Sequence, residues 1–126
     1  MRQAWLPATP EGAPIARAIV REAARDLELD RNTTWELMLA TTEAVANAVE
    51  HGSPCDPRGI QLRMDLAGGC LHMEIADWGR FESAQTSKST GRGGRGIPII
   101  SAIMDHLEVV PDRGGTRVRF EKRLAG

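Results

Sequence analysis

The chain has 126 residues, of which 41% are hydrophobic and 26% are charged, and its formal net charge at pH 7 is −1. This length suits one domain with a single core, and the near-neutral charge gives no basic field for nucleic acid or for a membrane surface. No apolar run approaches the roughly 20 residues that span a bilayer, and the N-terminal residues lack a signal-peptide core, so the sequence predicts a cytoplasmic protein.

The first predicted elements are an edge strand and a helix. Residues 2–6 form a short segment that Pro7 ends, which indicates a strand at a sheet edge. From Pro14, a residue type favoured at the first helical position, apolar residues recur at helical spacing. This pattern predicts a helix that ends near Glu28.

The second predicted helix has two alternative N-caps. It begins between Asp30 and Thr34, where either Asp30 or a capping box formed by Thr33 and Glu36 satisfies the first N–H groups. Glycine and then proline in the segment 51–54 are helix-ending signals. The helix therefore spans an alanine-rich run of about 20 residues.

Within this second helix, residues four apart lie on one face. Glu43 and Asn47 therefore point the same way, a carboxylate beside an amide, with His51 one turn further. On helical spacing alone, this polar stripe is a solvated face. Next to this stripe, the helical spacing predicts an apolar side that contains Trp35, Met38, Leu39, Thr42, Val45, Ala46 and Val49.

A hairpin and a long loop follow the second helix. Residues 60–66 and 70–76 each alternate apolar and polar side chains around the glycine turn 67–69, which is typical of two half-buried antiparallel strands. Residues 80–96 are polar and rich in glycine, and they show no period. Loops of this length and composition are usually kept for function.

The last quarter of the chain predicts a short helix over 98–104, a strand over 107–110, a turn over 111–115 and a final strand over 116–124. With the earlier elements, this order predicts a single α+β domain over residues 1–126. Its architecture is a two-layer α/β sandwich with helices on one face of a mixed, mostly antiparallel sheet.

Three local features carry the chemistry. The first is the pair Glu43 and Asn47. The second is Asp77-x-Gly79 at a strand end, where a carboxylate can accept a hydrogen bond from an exocyclic amine and glycine allows close approach of a ring. The third is the glycine-rich segment 91–96 in front of a helix, whose free N–H groups can hold phosphates.

The segment 91–96 also matches the dinucleotide fingerprint GxGxxG, but its context excludes that interpretation. The fingerprint requires a buried strand immediately before it and an acidic residue about 20 residues after it. Residues 82–90 are polar, and the acid at a suitable distance, Asp112, lies in a predicted turn. Two cysteines and three histidines lack metal-ligand spacing, so no zinc site is expected.

The ordered set of features resembles the Bergerat-fold ATPases, the superfamily of gyrase, histidine kinases and mismatch-repair ATPases. Within it, the chain looks most like the bacterial anti-sigma factor serine kinases of partner-switching systems. The resemblance runs from about residue 5 to residue 124. Its most specific segments are 42–52, 75–79, 94–100 and 114–118.

The resemblance implies roles for individual residues. It implies that Asn47 ligates Mg²⁺ and that Glu43 is the general base toward a serine hydroxyl. It also implies that Asp77 binds the adenine amine, with Gly79 leaving room for the ring, and that Thr116 supports the adenine side. Contact with phosphates, or with a partner protein in the case of the arginines, is implied for Arg92, Gly94, Arg95 and Gly96.

The sequence departs from the family pattern at two places in the implied ATP lid, residues 80–96. Phe81 replaces the second glycine of Asp-x-Gly-x-Gly, and Arg92 occupies the first glycine position of the lid motif, between Gly91 and Gly93. These changes alter the backbone freedom of the lid. Neither removes the implied base or the implied magnesium ligand.

The function implied by the resemblance is that of an ATP- and Mg²⁺-binding anti-sigma factor with serine/threonine kinase activity. Its partners would be a STAS-type anti-anti-sigma protein and a sigma factor, with no direct nucleic acid or membrane partner. Homodimerisation is compatible with the apolar pair Trp5 and Leu6 on the edge strand. The alternative is a catalytically silent nucleotide-binding module that acts only by protein binding.

Overall fold

The computed structural model describes residues 2–52, 55–79, 93–112 and 114–124. The elements in chain order are β1 (Arg2–Leu6), α1 (Gly12–Asp26), α2 (Arg31–Asn47), a π-helical turn (Ala48–Gly52), β2 (Ile60–Ala67), β3 (Cys70–Asp77), α3 (Gly93–Ile103), β4 (His106–Asp112) and β5 (Gly115–Arg123). In these described ranges, no helix has the length and apolarity needed to cross a membrane.

The five strands form one sheet in the order β1-β2-β3-β5-β4, and each neighbouring pair is antiparallel. The prediction of an edge strand at residues 2–6 is confirmed, as is the hairpin of β2 and β3. Alternate side chains of the strands pack under the helices, so the sheet has one covered and one open face. The two-layer sandwich predicted from the sequence is confirmed, although the described pairings are wholly antiparallel rather than mixed.

Of the two possible caps for α2, the structure uses Asp30. The Thr33 N–H donates to Asp30 Oδ1 at 2.7 Å, and the Thr34 hydroxyl donates to the Asp30 carbonyl at 2.8 Å. The hydrogen bond from the Thr33 backbone lowers the pKa of Asp30. This cap keeps an anionic group at the positive end of the helix dipole, which stabilises the start of α2.

The apolar side predicted for α2 coincides only in part with its buried side: Val45 is buried, and Met38 and Val49 pack against the core. Trp35 is 58% exposed, whereas the most deeply buried side chains of this helix are small or are aliphatic residues near its middle: Leu37, Ala40, Thr41, Ala44 and Val45. The helix is contacted by α1, by α3 and by β3. Because it is enclosed on several sides, alanine and threonine are needed to let the neighbouring backbones approach, and simple amphipathic periodicity does not locate its core face.

The predicted start of α3 at Pro98 was wrong. The helix begins at Gly93, and Pro98 lies inside it. Proline has no N–H to donate to the carbonyl of Gly94, four residues earlier, which leaves that carbonyl outside the helical hydrogen-bond ladder. Residues 93–96 of the glycine-rich segment are therefore the first turn of the helix rather than a loop in front of it.

Candidate functional site

Asn47 is the last residue of α2, and it is buried. Its side chain is 9% exposed, and within the described residues its Nδ2 group has no hydrogen-bond acceptor. From the next residue onward the helix widens into the π-helical turn, a feature that is frequent at functional sites. A buried amide without a partner costs about 1–3 kcal/mol, so this position fits a ligand that would complete it.

Glu43 lies one turn before Asn47 and is half-buried. Among the described residues, no hydrogen bond or ion pair engages its carboxylate. The neighbouring Thr42 hydroxyl donates to the carbonyl of Met38 at 2.7 Å and accepts from Arg17 of α1 at 3.4 Å. The backbone that carries Glu43 is thereby anchored to its own helix and to α1.

At the end of β3, Asp77 is joined by hydrogen bonds to the turn that follows it. The Gly79 N–H donates to Asp77 Oδ1 at 2.7 Å, and the Thr116 hydroxyl donates to the Gly79 carbonyl at 2.9 Å. Thr116 is buried and lies opposite Asp77 in the register of β3 and β5. Three of the residues singled out from the sequence therefore form one hydrogen-bonded unit.

The electrostatic state of Asp77 is unusual. Burial raises the pKa of Asp77 from 3.8 to about 6, and the hydrogen bond from the Gly79 backbone opposes this rise only in part. Desolvation of this size, with no cation among the described residues to offset it, is typical of functional carboxylates. The second carboxylate oxygen is not used in the hydrogen bond from Gly79, so it can accept from a ligand.

Gly115 is required by the close approach of β5 to the end of β3. A Cβ atom placed at Gly115 would lie 1.9 Å from the carbonyl oxygen of Asp77 and 2.9 Å from the Trp78 Cα. Both are backbone atoms, which cannot move without shifting the strand that carries the carboxylate. No local pattern in the sequence indicates this requirement, because it arises from the packing of two strands.

We expect Gly115→Ala to lower the free energy of unfolding by about 2 kcal/mol or more, because the new methyl group displaces the backbone at Asp77. Urea unfolding of both proteins measures the difference. The matched control is Gly68→Ala, since Gly68 has φ of +60° but no atom within 4 Å of the position that a methyl group would take. An equal loss in the two variants would mean that backbone strain, rather than the close approach, makes Gly115 necessary.

Gly94 and Gly96 lie in the first turn of α3. Their backbone N–H groups belong to the helix end, where such groups are free to bind an anion. Arg92 and most of the predicted lid lie outside the described residues, as does the side chain of Arg95. The roles predicted for those residues stay predictions.

The elements that carry these groups are neighbours. Both α2 and the π-helical turn contact β3, and α2 also packs along α3. The structure therefore brings the end of α2, the end of β3 and the start of α3 into one region of the covered face of the sheet. Direct hydrogen bonds, however, link only the unit of Asp77, Gly79 and Thr116 among the described candidates.

Cavities adjoin the sheet in several places, and the one described first does not coincide with this region. A cavity of about 350 Å³ lies on the open face and is lined by charged side chains, among them Arg63, Glu74 and Arg119. A smaller one of about 130 Å³ borders Asp77 and Thr116. The smaller cavity also borders Gln61, Ala76 and Arg117, which lie on the open face of the sheet. We therefore place the site by the half-buried Asp77 carboxylate on the covered face, and not by either cavity.

An ion pair that was not expected from the sequence joins Glu36 of α2 to Lys122 of β5. Their side-chain atoms Oε1 and Nζ are 3.0 Å apart, and both side chains are less than one-fifth exposed. The signal was present in the sequence, because Lys122 follows Val118 and Phe120 on the inward side of the last strand. A lysine at an inward position requires a partner.

A comparison of the sequence with protein-family models matches residues 6–122 to the histidine kinase-like ATPase domain. Similar relatives include the anti-sigma F factor of Geobacillus kaustophilus, which is 29% identical over 129 residues that cover 94% of this chain and 88% of the relative. The anti-sigma F factor of Clostridium acetobutylicum is 26% identical over 128 residues, covering 94% and 90% of the two chains.

Among solved structures, the RsbU and RsbW domains of Rv1364c from Mycobacterium tuberculosis superpose with a TM-score of 0.78 at 26% identity. That match covers 98% of this chain but only 32% of the other one. A histidine kinase domain from Erythrobacter litoralis shares the fold, with a TM-score of 0.59 over 73% of this chain. The resemblance found from the sequence motifs is confirmed: the chain belongs to the family of histidine kinase-like ATPase domains.

Proposed function

We propose that this protein is an ATP- and Mg²⁺-binding anti-sigma factor with serine/threonine kinase activity. The observation that carries the proposal is the presence of a half-buried and a buried polar group on neighbouring elements, each with capacity left for a ligand. These are the Asp77 carboxylate at the end of β3 and the Asn47 amide at the end of α2. A nucleotide offers an amine at one end and a metal-bound triphosphate at the other, which matches this pair.

At the adenine end, Asp77 would accept a hydrogen bond from the exocyclic amine. Its Oδ1 already accepts from the Gly79 N–H, which leaves the other oxygen for the ligand. Gly79 leaves room for the ring, and the Thr116 hydroxyl holds the Gly79 carbonyl in place. Thr116 therefore supports the base-binding turn from beneath through the backbone of Gly79.

At the phosphate end, Asn47 would hold Mg²⁺ through its side-chain oxygen, an atom type suited to this hard cation. The same amide has an Nδ2 group, without an acceptor among the described residues, that can donate to a phosphate oxygen. The N–H groups at Gly94 and Gly96 would bind phosphate oxygens at the positive end of α3, with Arg92 and Arg95 adding positive charge. When bound, Mg²⁺ neutralises charge that develops on the phosphates.

Glu43 would act as the general base. Its carboxylate takes the proton of a substrate serine hydroxyl while the serine oxygen bonds to the γ-phosphorus, and the bond from that phosphorus to the bridging oxygen of ADP breaks. A half-buried carboxylate without a described partner is available for this proton. The products are a phosphoserine, ADP and protonated Glu43, which returns its proton to solvent.

The partners follow from the names of the relatives. Because several relatives are called anti-sigma F factors and the RsbW domain shares the fold, we propose a sigma factor as one partner and a STAS-type anti-anti-sigma protein as the phosphoacceptor. Phosphate added to the acceptor would change its affinity by charge, and the two proteins would compete for this chain. A sigma factor acts where transcription takes place, so we place the protein in the cytoplasm.

Purified protein, radiolabelled ATP and candidate STAS proteins test the proposal. We expect label on a serine or threonine of the STAS protein, dependent on Mg²⁺. Calorimetry with ATP runs in parallel. Measurable ATP affinity without transfer to any candidate would favour the catalytically silent module. Absence of ATP binding would exclude the proposed nucleotide site.

The open face of the sheet supports a homodimer, the remaining partner expected from the sequence. One row across four strands consists of Arg63, Glu74, Arg119 and Glu108, so positive and negative charges alternate. The guanidinium of Arg119 lies 2.8 Å from Glu74. The adjacent row alternates acids with histidines: Asp65, His72, Glu121 and His106.

A second copy would complement this pattern. A two-fold axis parallel to the strands, between β3 and β5, places every charge of a row against the opposite charge of the same row in the other copy. Arg119 would then face the partner's Glu74. Trp5, which is 57% exposed at the rim of this face, would add apolar contact.

We expect wild-type protein to sediment as a dimer and Arg119→Glu to shift it toward monomer, because the substitution places like charges opposite each other. The double variant Glu74→Arg with Arg119→Glu again places opposite charges against each other across the two-fold axis, at positions 74 and 119, and should restore the dimer. Sedimentation equilibrium measures all three proteins. A wild-type monomer at high concentration, or a dimer indifferent to both changes, would contradict this interface.

A further inference from the structure

The Glu36–Lys122 ion pair lies at the end of the helical layer remote from the candidate site. Lys122 is opposite Leu71 in the register of β5 and β3, whereas Thr116 is opposite Asp77. Six residues of strand separate the two positions, a distance of about 20 Å. Lys122 therefore cannot touch a nucleotide that Asp77 binds.

Lys122 joins three elements at this remote end. Its Nζ group pairs with Glu36 at 3.0 Å near the start of α2 and donates to the carbonyl of Ile103 at 3.0 Å. Ile103 is the last residue of α3, where carbonyl groups are free and the helix dipole is negative. One ammonium group thus holds the start of α2, the end of α3 and strand β5 together.

Two further hydrogen bonds attach the end of α3 to β5. The Asp105 N–H donates to the carbonyl of Glu121 at 2.9 Å, and the Arg123 N–H donates to the Asp105 carboxylate at 2.6 Å. These bonds attach the chain just after the helix. Lys122 is the group that also ties the helix end to α2.

The position of this contact lets it affect the first turn of α3, at the other end of the helix. Helix α2 runs from Glu36 toward Asn47 at the site, and α3 runs in the opposite direction, from Gly93 to Ile103. The two helices lie side by side. The 11 residues of α3 span about 16 Å. A rotation of about 10° at its Ile103 end would move the first turn by about 3 Å, which is enough to break hydrogen bonds to a phosphate.

We propose that Lys122 is a positioning residue that sets the separation between the phosphate-binding turn of α3 and Asn47 at the end of α2. The inference rests on the proposed function, since it assigns the triphosphate to those two places. It predicts that the loss of Lys122 weakens recognition of the phosphates and leaves recognition of adenine intact. The unit of Asp77, Gly79 and Thr116 lies on the sheet, which Lys122 does not hold in place through its side chain.

Lys122→Met tests the inference, because methionine keeps the apolar stem and removes the charge and the donor. We expect ATP affinity in the presence of Mg²⁺ to fall about tenfold, while adenosine affinity stays within about twofold of wild type. Lys122→Arg, which keeps a donor for both acceptors, should recover most of the loss. Calorimetry at a temperature where all variants are folded provides the values.

The matched control is Arg2→Met, which breaks the exposed ion pair between Arg2 and Asp26 and should change neither affinity. The double variant Glu36→Gln with Lys122→Met should be no weaker than Lys122→Met alone, because both changes disrupt one contact. Equal losses of ATP and adenosine affinity, or wild-type ATP affinity in Lys122→Met, would overturn the inference.

Hydrogen exchange separates this inference from the proposed function. We expect faster amide exchange over residues 97–103 in Lys122→Met than in Arg2→Met, with or without nucleotide. If wild-type protein fails to bind ATP, the proposed function is excluded. The exchange measurement then still decides whether Lys122 positions α3. Unchanged exchange over these residues would overturn the positioning role even if ATP binds.

Discussion

Replacing Glu43 by glutamine is expected to lower phosphoryl transfer to the STAS protein by about 10²–10⁴-fold and to change ATP affinity by less than about threefold. Glutamine keeps the size of the side chain but cannot take a proton from the serine hydroxyl. ATP affinity is preserved because the groups assigned to nucleotide binding, Asp77 and Asn47, remain. Single-turnover transfer and calorimetric ATP binding measure the two effects separately.

The control for this prediction is Glu22→Gln on α1, which removes an exposed carboxylate with no assigned role. It should leave both transfer and binding unchanged. Transfer at the wild-type rate in Glu43→Gln would exclude Glu43 as the base. A parallel loss of ATP affinity would instead assign Glu43 to nucleotide or metal binding.

Asp77→Asn is expected to weaken nucleotide binding and to stabilise the free protein. In the free protein the Asp77 carboxylate is desolvated, which raises its pKa from 3.8 to about 6 and makes its charged form costly at neutral pH. Asparagine removes that cost, and its Oδ1 can still accept from the Gly79 N–H. We expect the Tm at pH 7.5 to rise by about 3 °C, since the partial exposure of the side chain reduces the full effect of the shift.

The same substitution presents an N–H₂ group to the adenine amine, so that two donors face each other. A hydrogen bond to a charged acceptor contributes about 1.5–3 kcal/mol, which corresponds to a roughly tenfold to hundredfold loss of affinity. A gain in stability together with a loss of affinity is expected where a protein keeps a destabilising group for function. A variant that is both less stable and fully competent in binding would contradict the assignment of Asp77.

The pH dependence of both quantities follows from the raised pKa of Asp77. Below about pH 3.8 the carboxyl is protonated in the folded and unfolded chains, so wild type and Asp77→Asn differ least in stability there. The destabilising effect of the charge grows as the pH rises toward about 6 and is complete above it. Chemical denaturation of both proteins across this range measures the difference.

The affinity for adenosine should also depend on pH. Only the ionised carboxylate leaves both oxygens as acceptors, one for the Gly79 N–H and one for the adenine amine. Adenosine affinity should therefore be constant at neutral pH and fall as the pH drops through about 6. Adenosine is used because it has no phosphates that titrate in this range. Asp77→Asn should lack this pH dependence.

The elements and the order of the motifs could be predicted from sequence because they depend on local chemistry. Alternation of apolar side chains located β2 and β3, and glycine with proline located the end of the second helix. The family could be recognised because Glu43, Asn47, Asp77 and the glycine segment occur in order along one short chain. These features need no knowledge of what packs against what.

The start of α3 could not be predicted, because proline at position 98 is a local signal for a helix start. In the structure α3 contacts α2 and β4, and these contacts depend on the tertiary fold rather than on the local sequence. The buried side of α2 was predicted only in part for a related reason. A helix enclosed by two helices and the sheet buries alanines, whereas Trp35 is left exposed.

The sequence by itself determined which residue types are available to a nucleotide site and on which elements they lie. The tertiary structure decided their physical state. Burial makes the pKa of Asp77 rise and leaves the Asn47 amide without a described partner, since both effects depend on which atoms exclude water. The contact of Lys122 with Glu36 and Ile103 likewise exists only once β5, α2 and α3 have packed, because these residues are far apart in the chain.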